Sequence, residues 1–101
     1  MKLYLDDERV TPEGWTRAYT PEQAIAYLDT GLVDTISLDH DLGLEPEERN
    51  GYMVASYLEE KAYTDPDYKI PETLLVHSAN PAGVANIQKA FASIKRALSR
   101  R

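Results

Sequence analysis

The stretch ISLDHDLG, residues 36–43, decides the fold. Its apolar run, Ile36-Ser37-Leu38, is the length of a short buried strand and stops abruptly at Asp39-His40-Asp41. Two other apolar runs stop in the same way: KLYL (2–5) at Asp6-Asp7, and TLLVH (73–77) at Ser78-Ala79-Asn80. Helical patterns lie around them. In TPEQAIAYLDTG (20–31), Thr20 is an N-cap, Pro21 suits the first helical position, Gln23 completes a capping box and Gly31 is placed to end the helix. Gly51 opens a second helix to about Ala62, with Met53, Val54, Tyr57 and Leu58 facing inward. Pro81 opens a third, whose apolar positions Val84, Ile87, Phe91, Ile94 and Leu98 step by three and four. Strands alternating with helices predict a parallel sheet of about four strands with helices on both faces, a three-layer α/β sandwich formed by residues 1–101 as one domain. Ligands of such sheets bind outside the carboxyl ends of the strands. The polar groups that end the three runs therefore converge on one rim.

The remaining strand, TRAY (16–19), leaves the connectivity open. Only some ten residues separate it from KLYL, whereas a parallel crossover normally needs about a dozen or more. Either this link is unusual or TRAY is not a parallel neighbour of the first strand.

Composition narrows the function. No apolar stretch is long enough to span a membrane, and MKLYLDDER lacks the apolar core of a signal peptide. The absence of cysteine excludes a disulfide scaffold and a thiolate zinc site, and fits a cytoplasmic protein. All 17 acidic residues fall within 1–72, against six Lys and Arg, a net −11; residues 73–101 carry five Lys and Arg and no acid, +5. The basic end complements the dipole of its own helix or attracts a polyanion such as RNA. The strongly acidic remainder argues against an extended nucleic-acid surface.

The rim carries the chemistry. Asp6, Asp7 and Asp39 brought together repel one another unless a cation compensates, and a hard divalent ion such as Mg²⁺ accepts carboxylates, waters and a phosphate oxygen. The competing reading is that these aspartates only cap loops and helices. His40 and His77 are the only histidines, both adjoin strand ends, and an imidazole pair handles protons around a phosphodiester. His77 has the weaker claim, because it could still belong to the packed strand. Ser78 and Asn80 precede the Pro81 helix, where one caps it and both suit a phosphate at the helix N-terminus. Arg9 is a candidate partner for that phosphate.

At this point KLYLDDER, DTISLDHDLG and LLVHSAN resemble the first, third and fourth strands of response-regulator receiver domains. More narrowly, LDDER, SLDHDLG, GY and VHSANP in this order resemble the cyclic-phosphate processing receiver domain. The resemblance implies a flavodoxin-like fold, shortened. It implies that Asp6 and Asp7 bind metal, that Asp39 is a phosphoacceptor or third ligand, that Asp41 offers its backbone carbonyl to the metal, and that Ser78 contacts the phosphoryl group. Two features depart from ordinary receivers. No strand-like run carries a lysine after the last helix, and the two histidines are additions.

Three functions follow as expectations. The first is a Mg²⁺-dependent phosphoesterase acting on a cyclic phosphate, in a small molecule or at an RNA end, with Asp39, His40, His77 and Ser78 catalytic. In that reading Arg9, Ser78 and Asn80 bind phosphate, while Asp6, Asp7, Asp39 and Asp41 bind metal. The second is a non-catalytic module that binds metal and phosphate, or a protein partner. The third, a phosphorylated receiver, is weakened by the missing lysine.

Overall fold

Leu3, Leu5, Ile36 and Leu38 are fully buried, and their alternation shows which side of the sheet holds the core. The computed structural model describes residues 1–101. Its strands are β1 (Lys2–Leu5), β2 (Trp15–Ala18), β3 (Thr35–Leu38) and β4 (Thr73–Val76), and its helices are α1 (Pro21–Leu28), α2 (Gly51–Thr64) and α3 (Pro81–Ser99). The sheet is wholly parallel in the order β2-β1-β3-β4. This is the shortened receiver-like α/β fold expected from the sequence, with strand ends within a residue of those anticipated.

The link from β1 to β2 is the unusual alternative. Residues 6–14 make a parallel crossover with no helix. Length explains why this suffices. A four-residue strand is about 13 Å long, and nine extended residues reach about 30 Å. Gly14, at φ +85°, turns the chain into β2 with a backbone that a side chain would disfavour.

The helices form a layer on one face, where the sequence suggested two. β2→α1→β3 and β3→α2→β4 advance across the sheet in the same direction, so right-handed crossovers set α1 and α2 on the same side. There α1 packs on α2 and α2 on α3, and a single core of 19 residues joins them to the sheet. The opposite face carries Tyr4, with Arg17 and Ser37 as its register partners, and then Leu75 opposite Ser37. A helical first link would have covered it, and residues 6–14 are too short to form one. Tyr4 is nevertheless buried, flanked by Trp15 edge-on at 5.9 Å and by His77 stacked at 4.1 Å.

Each helix begins as its sequence foretold. Thr20, Asn50 and Asn80 accept the N3 amides of Gln23, Met53 and Gly83. Gln23 returns its side chain to the amide of Tyr19, one residue before the N-cap. Gly31, at φ +74°, follows the end of α1. The C-cap of α1, Asp29, ties that helix to the middle of α2 and to the loop after it, its Oδ1 accepting from Tyr57 at 2.7 Å and Tyr68 at 2.8 Å. No helix is long and apolar enough to cross a membrane.

One-sided packing has a measurable consequence. Leu38→Ala, beneath the helices, is expected to cost about 2–5 kcal/mol in chemical denaturation, whereas Leu75→Ala on the open face costs under about 1 kcal/mol. Equal losses would contradict this arrangement.

Candidate functional site

Three strand ends supply the rim. β1 delivers Asp6 and Asp7, β3 delivers Asp39, His40 and Asp41, and β4 leads into His77 and Ser78. Asp6, Asp7, Arg9, Asp39, Asp41 and Ser78 line one pocket of about 410 Å³, together with Glu8, Gly43 and Ala79. His40 and Asn80 line the adjoining cavity of about 510 Å³, which shares Asp41 and Gly43 with the first. The sequence expected these groups on one rim; the structure divides them between two adjoining cavities, and His77 lines neither.

Asp6 is fully buried and its carboxylate is fully engaged. Oδ1 accepts the backbone amides of Glu8 (2.8 Å) and Arg9 (2.9 Å), and Oδ2 accepts Arg9 Nη1 (2.9 Å) and His77 Nε2 (3.0 Å). Burial alone would raise its pKa. The two amides, the guanidinium and the imidazole overcome that and hold the carboxyl far below the usual carboxylate range. Arg9 Nη1 also lies 3.3 Å from Asp39 Oδ2, so one nitrogen bridges both carboxylates. Asp39, also buried, is shifted upward by burial and by the charge of Asp6. The Ser78 hydroxyl opposes that shift, and Ser78 Oγ also accepts the amide of Asn80 at 3.2 Å.

His77 is used on every side. Its Nδ1 meets Ser37 Oγ at 2.6 Å, its Nε2 meets Asp6, and its ring stacks on Tyr4 at an interplanar angle of 6°. An ionised Asp6 only accepts, so Nε2 carries the proton, and the neutral ring accepts the Ser37 hydroxyl at Nδ1. Burial pushes the His77 pKa down, which keeps the ring neutral. His40 differs. Its Nδ1 pairs with Asp41 Oδ1 at 2.8 Å, and Nε2 has no protein partner. Asp41 is itself held by Asn80 Nδ2, at 3.2 Å from both oxygens. Asn80 is thus committed twice, to Asp41 and to the α3 cap.

Ser37 and Tyr4 were not singled out in the sequence. The only signal was a polar residue inside an apolar strand, two positions before Asp39. The sequence marks Gly51 only as a helix start and does not single out Gly83. Gly51 starts α2 with its amide on the carbonyl of His40 at 3.0 Å, and a Cβ there would overlap the carbonyl of Asp39. At Gly83 a Cβ would fall 2.7 Å from His40 Cβ and Cδ2. Both helices therefore approach the Asp39-His40 segment as closely as a backbone permits.

Asp6, Asp7 and Asp39 each offer a carboxylate oxygen, all within 4.8 Å of one another, a spacing from which a cation could be held. Asp6 has no free lone pair for it. Asp7 and Asp39 are the pair with coordination to spare, and Mg²⁺ needs only one or two carboxylates beside its waters.

A parallel sheet with a carboxylate pair after its first strand and an aspartate after its third defines a receiver-type domain. Residues 1–93 match the family model for the cyclic-phosphate processing receiver domain, and the chain belongs to that family. No curated protein and no solved structure matches it.

Two tests address this geometry. A raised folded pKa means that ionised Asp39 is disfavoured in the fold, so its contribution is favourable at low pH and lost as pH rises through that pKa. Without divalent cations, Asp39→Asn is expected to stabilise the protein by about 0.5–2 kcal/mol at pH 7 in urea denaturation, with the gain vanishing in acid where wild-type Asp39 is protonated. Gly83→Ala should destabilise by about 1–3 kcal/mol although alanine favours a helix, and His40→Ala in the same chain should recover part of it. Identical costs in both backgrounds would rule out the contact.

Proposed function

We propose that the pocket binds Mg²⁺ through Asp7 and Asp39 and, with it, the phosphate of a cyclic phosphate ester, which it opens to a monoester. The observation that carries this reading is charge. The pocket wall holds five carboxylates, Asp6, Asp7, Glu8, Asp39 and Asp41, against one guanidinium, Arg9. An anionic phosphate is repelled from such a wall until a cation enters first. When bound, Mg²⁺ would supply positive charge to the phosphate oxygens. The family's description, cyclic-phosphate processing, names the ligand chemistry.

The chain's own groups take the other roles. Ser78 and Arg9 face the phosphate from the pocket wall. His40, rather than His77, is the acid–base group, because its Nε2 is unpaired while Asp41 orients its Nδ1. In hydrolysis, water adds to phosphorus and one ring P–O bond breaks. The water proton passes to His40 Nε2, and a proton returns to the leaving ring oxygen, so one water is consumed and the imidazole is regenerated. His77 positions Asp6 and does not meet substrate. Asp41 and Asn80 position His40, which removes Asn80 from the phosphate contacts anticipated for it.

The test is ³¹P NMR of a nucleoside 2′,3′-cyclic phosphate incubated with the protein. Conversion to monoester is expected with Mg²⁺ and not with EDTA. Asp39→Asn and His40→Gln should each slow it by about 10²-fold or more, and His77→Gln by less. Mg²⁺-dependent binding of the cyclic phosphate, weakened in Asp39→Asn but without turnover in wild type, would instead identify a binding module.

A further inference from the structure

We propose that Arg9 is a resident counter-ion that a divalent cation must displace from Asp39, and that the guanidinium so released is the group that meets the phosphate. This rests on the cation reading above and deepens it. Arg9 is the only cation in the pocket wall, and its single Nη1 spans the two buried carboxylates, 2.9 Å from Asp6 and 3.3 Å from Asp39. The two contacts are unequal in kind. Asp6 Oδ1 also accepts the backbone amide of Arg9, within one tight turn. Asp39 holds it only by the longer ion pair, across the pocket. An incoming cation therefore competes with Arg9 at Asp39 and not at Asp6.

Charge makes the exchange directional. With Arg9 on Asp39, the site is partly neutralised and attracts a second cation less. Once a divalent ion holds Asp39, electrostatic repulsion turns the guanidinium away from Asp39 about its Asp6 contact, so that its free edge faces an arriving anion. The Arg9 side chain is 45% exposed and has room to swing. Asp6 keeps its two backbone amides, His77 and its contact to Arg9 Nη1 throughout, so the guanidinium pivots on Asp6 and the turn need not unfold.

The signature is a pair of opposite effects from one substitution. In Arg9→Gln, Mn²⁺ used as the probe and followed by isothermal titration should bind about 10-fold tighter than in wild type when no phosphate is present. With Mn²⁺ saturating, inorganic phosphate should bind about 10-fold weaker. Arg9→Lys, which keeps a charge but loses the fork, should fall between for Mn²⁺. Because buried Asp6 loses a partner, Arg9→Gln should melt lower than wild type without metal, and Mn²⁺ should raise its melting temperature more than it raises that of wild type. Equal or weaker Mn²⁺ affinity in Arg9→Gln overturns the exchange while leaving the cation site standing. Failure of both proteins to bind Mn²⁺ overturns the cation site and the exchange with it.

Discussion

The buried carboxylate of Asp6 is the constraint on which the rim depends. A charge fully removed from water is tolerated only with its lone pairs filled. Four donors from two segments fill them: the Glu8 and Arg9 amides, the Arg9 guanidinium and His77. That requirement folds the residues after β1 into a turn and swings Arg9 over the pocket. It also draws the end of β4 toward the end of β1, although β3 lies between them. Ser37, from β3 in between, and Tyr4, from β1 itself, close the far side of the imidazole. The tautomer of His77 is thus set by buried partners and not by solvent.

Around this anchor the site divides by exposure. Asp39 and Asp6 sit inside, share one arginine and are pushed apart in acidity, Asp6 downward and Asp39 upward. Groups whose surroundings separate their pKa values in this way mark functional pockets. His40 and Asp41 lie further out, and the N-termini of α2 and α3 press against Asp39 and His40 through Gly51 and Gly83. Close approach by two helices fixes the strand end more firmly than loop contacts would. The cost is that neither glycine can be replaced without moving His40 or Asp39.

The open face of the sheet follows from the short β1–β2 link. A helical crossover would have shielded Tyr4, Ser37 and His77 from one side. Here their burial comes from one another and from Trp15. The face stays partly wet at its edges, with Leu75 43% exposed at β4.

What the sequence determined was set by local chemistry. Short apolar runs ending in polar groups, the N-cap at Thr20, helix starts at Gly51 and Pro81, and the three-and-four spacing in α3 each act within a few residues, so strands, helices and the parallel sheet were legible. The rule that ligands gather at strand carboxyl ends then placed Asp6, Asp39 and Ser78 on one wall. The tertiary structure alone decided which polar groups were already spent. That His77 serves Asp6 and Ser37, that Asn80 serves Asp41, and that Arg9 bridges Asp6 and Asp39 depends on partners 30 to 71 residues away. Helix placement on one face was also decided there, because it follows from strand order and crossover hand. Neither is written in any local run of residues, since both are properties of how distant segments share one sheet.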